Sequence, residues 1–461
     1  MRLLSLLIAI SAGVAACRAF VVVTPPSICD RYNTQSWYTQ GGKHLCSEQG
    51  ITNESVELRT LYPSVAPYRN GTIAVDDTHT LFYQEYGQEP SNKKALTALF
   101  LHGGPGAGCS PNHARFMDPS KYRIILLDQR GSGQSRPLGE VQKNTLLYLV
   151  QDCETIRKEL EIDRWDLVLG GSWGSTLALA YAQEYPHSVR SLVLRGVCLL
   201  RPCEVDWLTS NKGGSASLDP KGWKEFSSVV GVELEEGNDR AVLHAYYDRL
   251  LGDDPVARIE AARSWMRWEM QVSSSAQIYA RNDENPSQHP VLVWEPNEGQ
   301  WSCQDNNGMK MHNVLWYESH MLRRGVSLAR GPLQTVSSVR PVSPVPVEQS
   351  RDVTVEEAAR YIPAQPMLTC FYSANDRYAM DNLDLLCKER LSRVRSIPCI
   401  AVQGGKDTIC PPDTALDLHA NWPEIELRIP KGSGHSMYDP AITNELVQAT
   451  DRIANEFSAE T

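Results

Sequence analysis

The sequence contains no run of basic residues, and its formal net charge is −10 at pH 7. Binding to nucleic acid or to an anionic membrane surface needs clustered Lys and Arg, so neither is expected as a partner. The 12 cysteines include no C-x-x-C pair and no group with the spacing of metal ligands, so no metal site is indicated. Beyond the first residues, no stretch is apolar enough to span a membrane.

Residues 1–19 form the one strongly apolar segment. Arg2 precedes an almost unbroken apolar stretch that ends at Ala16 and is followed by small residues. This stretch is short for a bilayer span, and it is typical of a cleaved signal peptide. We therefore expect entry into the secretory pathway, with an extracellular or vesicular destination. The alternatives are lipid anchoring through Cys17 and routing to a plastid after cleavage near Ala19.

Four of the cysteines lead to two different expectations. Cys29 and Cys46 flank a polar, aromatic segment, and we expect them to form a disulfide if the compartment is oxidising. Cys198 and Cys399 lie in apolar runs that resemble strands, and they are expected to be buried thiols.

Glycine-rich loops at the ends of apolar segments identify the folded core. Apolar segments of strand length alternate with helical patterns over residues 70–197, and the same pattern resumes in 366–461. This alternation predicts an α/β fold with a mainly parallel sheet, helices on both faces and a site at the carboxyl edge. Residues 20–69 show little periodicity and are interpreted as an N-terminal extension.

Residues 198–365 interrupt this alternation. They are rich in tryptophan, proline and charge, and they contain helix-like segments without a convincing buried strand. The block is therefore interpreted as a mostly helical cap domain inserted between two strands of the core. Within it, 271–312 and 330–350 are expected to be loops.

The hexapeptide Gly170-Gly-Ser-Trp-Gly-Ser175 lies between an apolar run and an alanine- and leucine-rich helical pattern. This order of strand, tight turn and helix contains the G-x-S-x-G pattern of a nucleophile elbow. Small residues two positions before and after Ser172 let the strand and the helix pass closely. The motif alone also fits a turn whose serine only caps the helix, so a nucleophilic Ser172 needs a base and an acid elsewhere.

Asp407 and His435 are the candidates for acid and base. Each follows a strand-like segment, and they come after the serine in the order acid then histidine, as this type of sheet requires. A histidine activates a serine by taking its proton, and a carboxylate fixes the tautomer of the histidine and stabilises its cation. The sequence therefore predicts a catalytic triad of Ser172, Asp407 and His435.

The tetrahedral intermediate of such a reaction needs hydrogen-bond donors for its oxyanion. The backbone N–H of Trp173, directly after the serine, is one candidate. The glycine loop after an earlier strand supplies the other, from Gly103 or Gly104. A phosphate-binding loop is the alternative for these glycines, but the P-loop lysine and the G-x-G-x-x-G spacing are missing.

Four short motifs lie at strand ends of the core: His102-Gly-Gly-Pro-Gly106, Asp128-Gln-Arg-Gly-Ser-Gly133, Gly170-Gly-Ser-Trp-Gly-Ser175 and Gly434-His-Ser436. Together they resemble the motifs of the proline iminopeptidases, a family of serine peptidases on the α/β-hydrolase fold. The likeness extends over residues 70–270 and 366–457. It implies an enzyme that releases N-terminal proline from peptides and needs no cofactor or metal.

The same resemblance implies which residues bind the α-ammonium group of the substrate. A buried ammonium calls for carboxylates in a closed pocket, because an unpaired charge there would be costly. The first such glutamate of the family corresponds to Glu269, and an exposed helix glutamate is the alternative interpretation. The second corresponds to the uncharged Thr369, so Glu318 is the candidate to replace it.

The sequence thus predicts a serine aminopeptidase that releases N-terminal proline from peptides through an acyl-enzyme. Two other functions stay open. One is a related α/β-hydrolase that cleaves other amides or esters with the same triad. The other is a non-catalytic binding protein on a hydrolase scaffold.

Overall fold

The computed structural model describes residues 58–231, 239–278, 364–375 and 384–459, and four short strands between residues 291 and 353. Side chains of the second range are described up to residue 273. Several expectations lie outside the described residues: the signal peptide, most of the N-terminal extension, Cys17, Cys29, Cys46 and Glu318.

An eight-stranded sheet forms the core of the protein. The strands in chain order are β1 Arg69–Ala74, β2 Thr80–Gly87, β3 Leu96–Leu101, β4 Tyr122–Leu127, β5 Leu167–Gly171, β6 Leu192–Arg195, β7 Val291–Glu295, β8 Gln300–Gln304, β9 Val336–Ser337, β10 Asp352–Val353, β11 Cys399–Val402 and β12 Glu426–Arg428. The order in the large sheet is β1-β2-β4-β3-β5-β6-β11-β12. The first two pairings are antiparallel and the other five are parallel, so the predicted α/β fold with a mainly parallel sheet is confirmed.

Helices cover both faces of this sheet. They are α1 Leu146–Glu159, α2 Trp173–Glu184, α3 Pro202–Thr209, α4 Gly214–Leu218, α5 Pro220–Val230, α6 Ala241–Leu251, α7 Pro255–Ile278, α8 Ala364–Ala374, α9 Lys388–Val394, α10 Pro412–Asn421 and α11 Pro440–Ser458. Leu99 and Leu101 of β3 belong to an apolar cluster with α1 and α2, whereas Phe100 belongs to a cluster with α11. Successive side chains of a strand point to opposite faces, which is why the central strands are apolar almost throughout.

The core elements lie close to where the sequence predicts them. The hairpin of β1 and β2, the strands β3 and β4, and the final helix α11 all match the predicted segments. β6 is shorter than the predicted strand 189–197. Gly196 has φ +55°, a conformation that ends extended backbone and that glycine adopts without strain.

Helices α3–α8 form the cap, whose interior is aromatic. Phe226 of α5 stacks on Tyr246 of α6 with ring centroids 4.3 Å apart. Trp265 and Trp268 of α7 contact the same phenylalanine ring at centroid distances of 5.7 and 5.5 Å. α8 packs against α6 and α7, so it spans the boundary at residue 365 that the sequence suggests between cap and core.

The predicted loops of the cap were wrong in three places. α7 continues to Ile278, because no glycine or proline follows Pro255 within it, although its regular apolar pattern ends earlier. β7 and β8 pair as an antiparallel hairpin within 291–304, and the two-residue strand β9 pairs with β10. Of the helices in the described ranges, none combines the length and apolar character needed to cross a membrane.

Candidate active site

Ser172 lies in the sharp turn between β5 and α2. Its backbone has φ 55° and ψ −125°, a conformation that residues other than glycine rarely adopt and that the surrounding packing must hold. A Cβ on Gly170 would overlap the carbonyl oxygen of Gly174, and one on Gly174 would overlap that of Leu101. The G-x-S-x-G sequence therefore folds here into a strained turn at the carboxyl end of a strand.

The glycine loop after β3 runs directly beside Ser172. A Cβ on Gly103 would lie 3.0 Å from Cβ of Ser172 and 3.6 Å from its Oγ, so this approach requires glycine. Gly104 has φ +112°, and a Cβ there would lie 2.7 Å from the backbone nitrogen of Gly106. Trp173 is the first residue of α2, so its N–H has no acceptor inside the helix. The three candidate oxyanion donors therefore belong to two segments that adjoin the serine.

The motif that begins at Asp128 braces the glycine loop. The side chain of Gln129 accepts a hydrogen bond from Trp173 Nε1 at 3.0 Å and donates one to the carbonyl oxygen of His102 at 2.8 Å. Asp128 accepts from two backbone N–H groups, at 2.6 and 2.7 Å. Burial raises the pKa of Asp128 to about 6, although these donors oppose the shift. Both residues therefore position the loop around Ser172.

Asp407 and His435 lie in the loops after β11 and β12, and their side chains are in direct contact. Nδ1 of His435 is 2.8 Å from Oδ2 of Asp407, and both residues are buried. Oδ1 of Asp407 accepts from the backbone N–H groups of Ile409 and Cys410 at 3.0 and 2.8 Å. A Cβ on Gly196 would lie 3.2 Å from Cε1 of His435, so the loop after β6 closes against this pair. The arrangement is that of a carboxylate that orients a histidine.

Arg195, the last residue of β6, is a functional candidate that the sequence analysis missed. Its Nη1 is 3.2 Å from Nε2 of His435 and 3.0 Å from the carbonyl oxygen of the same residue. A guanidinium group donates but cannot accept, so Nε2 presents its lone pair and Nδ1 carries the proton donated to Asp407. A general base needs this tautomer. A charged residue at the end of the apolar strand Leu192–Leu194 is the signal that could have found it.

Cys410 also adjoins the serine, with its Sγ 3.9 Å from Oγ of Ser172. A hydrogen bond with the Cys198 thiol, together with burial, raises the pKa of Cys410 well above its usual value. This thiol therefore stays neutral and is a poor nucleophile. Cys399 is buried as predicted, Cys198 is only half-buried, and all eight described cysteines are free. In the described ranges, no three His, Cys, Asp or Glu side chains are placed to hold a metal.

Glu269 is buried inside the cap, so the alternative of an exposed helix glutamate is wrong. Trp265 Nε1 donates to its Oε1 at 2.8 Å, and Gln365 Nε2 donates to its Oε2 at 2.7 Å. Burial raises the pKa of Glu269 to about 7, while the two donors act in the opposite direction. Among the described residues, no cation lies within ion-pair distance of this carboxylate. A buried carboxylate with neutral donors alone is suited to a cation that a ligand brings.

Contacts of α7 place Glu269 near the loops that carry Asp407 and His435. The hydroxyl of Thr408, next to Asp407, donates to the carbonyl of Val272, one turn after Glu269. A Cβ on Gly434, next to His435, would lie 3.9 Å from the carbonyl oxygen of Ser273. The end of α7 therefore packs against both loops, and the carboxylate lies one helical turn away from these contacts.

α8 approaches the site from the other side, against the glycine loop. Thr369 donates through its hydroxyl to the carbonyl of Pro105 at 3.3 Å, so it joins the cap to this loop without adding charge. Gln365, one turn earlier, was missed by the sequence analysis. A neutral side chain 96 positions from its partner gives no local signal. The role suggested for Glu318 stays a prediction.

Comparisons with known proteins agree with this architecture. A family model described as the α/β hydrolase fold matches residues 99–224. The proline iminopeptidase of Arabidopsis thaliana is 35% identical over 399 residues, which cover 86% of this chain and 83% of the relative. The proline iminopeptidases of Xylella fastidiosa and Xanthomonas citri are each 33% identical over 86% of this chain, and cover 99% and 100% of their own lengths. The chain therefore belongs to the proline iminopeptidase family of α/β hydrolases.

Proposed function

We propose that this protein is a serine aminopeptidase that releases N-terminal proline from peptides through an acyl-enzyme. The observation that carries the proposal is Glu269, a buried carboxylate with neutral donors alone, one helical turn from the contacts with the Asp407 and His435 loops. A site that pairs such a carboxylate with a serine elbow can hold a substrate by its terminal ammonium. The names of the similar proteins give the residue released.

Acylation begins when Oγ of Ser172 attacks the carbonyl carbon of the N-terminal residue. The hydroxyl proton moves to Nε2 of His435, whose Nδ1–H stays bonded to Asp407 and so stabilises the cation. The oxyanion accepts hydrogen bonds from the N–H of Trp173 and from the glycine loop at Gly103 or Gly104. His435 then returns the proton to the leaving nitrogen, and the shortened peptide departs.

Deacylation repeats these steps with water as the nucleophile. His435 takes a proton from the water, the hydroxide attacks the acyl carbon, and the proton goes back to Oγ of Ser172 as free proline leaves. Arg195 donates to the same Nε2 lone pair that must accept each of these protons. Proton transfer therefore requires Arg195 to share or release that lone pair while it keeps its bond to the carbonyl of His435.

The test is a release assay on a panel of aminoacyl and dipeptidyl amides, run beside Ser172→Ala. We expect the unaltered protein to release proline from the prolyl amide in preference to the other residues, and Ser172→Ala to release none. Release of proline that persists in Ser172→Ala would contradict the mechanism. An unreactive serine-directed phosphonate would instead favour a non-catalytic binding protein.

A related hydrolase that acts on other esters or amides is distinguished by Glu269→Gln. If Glu269 binds the substrate ammonium, this variant loses turnover of the prolyl amide but keeps hydrolysis of a small uncharged ester. A matched control is Glu154→Gln on α1, where the carboxylate pairs with Arg157 in the core. Equal losses on amide and ester in Glu269→Gln would favour the broader hydrolase.

We propose in addition that residues 1–19 direct the chain into the secretory pathway. The basic Arg2 and the apolar stretch after it support this proposal. The test fuses this segment to a fluorescent reporter in a plant cell and in a bacterium. Removal of the segment and export of the reporter are expected. Accumulation in plastids, or lipid attachment at Cys17, would show that one of the alternative destinations is correct.

A further inference from the structure

The carboxylate of Glu269 is fixed by two side chains that carry no charge. Trp265 lies on the same helix, one turn earlier, so its bond to Oε1 is local to α7. Gln365 lies on α8, and its bond to Oε2 is the one described hydrogen bond that ties this carboxylate to another part of the cap. The position of Oε2 relative to the rest of the site therefore depends on Gln365.

Gln365 is itself fixed against the loop that passes Ser172. A Cβ on Gly106 would lie 2.8 Å from Cα of Gln365, so the first turn of α8 is in close contact with the glycine loop. The Thr369 hydroxyl secures the next turn of the helix to the carbonyl of Pro105. A continuous chain of contacts therefore runs from the glycine loop through Gln365 to the carboxylate of Glu269.

We propose that Gln365 is a specificity-determining positioning residue: its amide sets the distance between the Glu269 carboxylate and Ser172, and so selects substrates whose ammonium is adjacent to the scissile carbonyl. The proposal rests on the proposed aminopeptidase function. In such a substrate only one carbon separates the ammonium nitrogen from the carbonyl carbon that Ser172 attacks. A small shift of the carboxylate would therefore misplace that carbonyl.

The chemistry of an amide suits this position better than that of other side chains. A lysine or arginine would pair with Glu269 and close the site to a ligand cation. A second ionised carboxylate would give two negative charges for one ammonium. An apolar side chain would leave Oε2 without its donor. A glutamine supplies the donor, adds no charge, and leaves one carboxylate for one ammonium.

The main test compares Gln365→Met, which keeps the length of the side chain, with Gln183→Met as a matched control. Gln183 is also a buried glutamine whose Nε2 donates one hydrogen bond, at 2.8 Å to the carbonyl of Leu385, but it lies on α2 in the core. Steady-state kinetics are measured with a prolyl amide and with a small uncharged ester. A hydrogen bond to a charged group is worth roughly ten- to a hundredfold in affinity, so KM for the prolyl amide should rise by about that factor in Gln365→Met.

Three further readouts separate positioning from a general loss of structure. In Gln365→Met the ester should be hydrolysed at the unaltered rate. The pH at which KM for the prolyl amide doubles should move upward, because loss of a donor raises the pKa of Glu269 further. A β-amino acyl amide, with one more carbon between ammonium and carbonyl, should be disfavoured less strongly by Gln365→Met than by the unaltered protein. Gln183→Met should lower thermal stability without any of these changes.

If Gln365→Met does not fold, Gln365→Glu keeps the size of the side chain and provides the second test. A carboxyl at this position shares a proton with Glu269 near neutral pH and repels it when both ionise. KM for the prolyl amide should therefore depend on pH differently from that of the unaltered protein between pH 6 and 8.5. An unchanged KM and pH profile in either variant would overturn the proposal. Failure of the unaltered protein to release proline would refute the aminopeptidase function instead.

Discussion

The two ends of the active site are held in different ways. At the triad end, Ser172, Asp407 and His435 lie in turns that directly follow strands of one sheet, and backbone contacts fix those turns. At the amine end, Glu269 is held by side chains of two cap helices. The triad end therefore takes its geometry from the sheet, whereas the amine end takes it from the packing of α7 and α8.

This difference shows which part of the site can vary while the chemistry is kept. A strained turn at a strand end tolerates few substitutions, because a Cβ at Gly170, Gly174 or Gly196 meets neighbouring atoms. A side-chain contact between two helices can change with one substitution on either helix. Substrate selection can thus be altered in the cap without moving the serine, which separates specificity from reactivity.

The largest expected effect tests the triad end. Ser172→Ala should lower kcat on the prolyl amide and on an uncharged ester alike, by roughly 10⁴- to 10⁶-fold, because the nucleophile is lost. Ser172→Gly should be equally inactive but more stable than Ser172→Ala by about 1 kcal/mol, since glycine adopts a positive φ without strain. Chemical denaturation of the two variants measures the difference.

Ser191→Ala is the control for these variants, because Ser191 lies just before β6, at the opposite end from Arg195, and bonds only to the backbone of Asp166. It should keep full activity. A Ser172→Gly protein no more stable than Ser172→Ala would show that the turn is not strained.

The next effect tests the glycine loop. Gly103→Ala should lower kcat by roughly 100- to 1,000-fold, the usual result of losing an oxyanion donor, because the added Cβ pushes the loop away from Ser172. KM for the prolyl amide should change little, since Glu269 is not affected. Gly432→Ala is the matched control, because a Cβ there meets no atom within 4 Å. A Gly103→Ala protein with full activity would place the oxyanion donor elsewhere.

Arg195→Met comes third in size. Removing its bonds to Nε2 and the carbonyl oxygen of His435 should lower kcat on both amide and ester by roughly ten- to a hundredfold. Arg190→Met, just before the same strand, removes a cation that pairs with Asp166 and should not affect catalysis. If Arg195→Met impaired only the amide, Arg195 would belong to the amine end and the separation of the two ends would be lost.

Sequence reasoning succeeded where the decisive contacts are local. The elbow is contained in six residues, and the glycine loop in His102-Gly-Gly-Pro-Gly106, so both can be found by pattern. The fold follows from the alternation of apolar segments. Asp407 and His435 are 28 positions apart, but each is marked by the strand before it.

The contacts that sequence reasoning missed join distant parts of the chain through residues without a distinctive pattern. Arg195 and His435 are 240 positions apart, and Gln365 and Glu269 are 96 apart. The apolar pattern of α7 also ends before the helix does, so its end was assigned to a loop. Packing of the cap decides these features, and local propensity does not record it.

The smallest effect tests the amine end through its pH dependence. The ionised carboxylate binds the ammonium, and burial holds the pKa of the empty Glu269 near 7, so protonation below that pH removes the binding form. KM for the prolyl amide should therefore rise about tenfold from pH 8 to pH 6 and level off above pH 8. An uncharged ester does not need this carboxylate, so its KM should stay flat over the same range. In Glu269→Gln the KM of the amide should be high at every pH and lose this dependence. A tenfold rise that persists in Glu269→Gln would mean that another group controls amine binding. The cap would then not be the independent half of the site that its packing indicates.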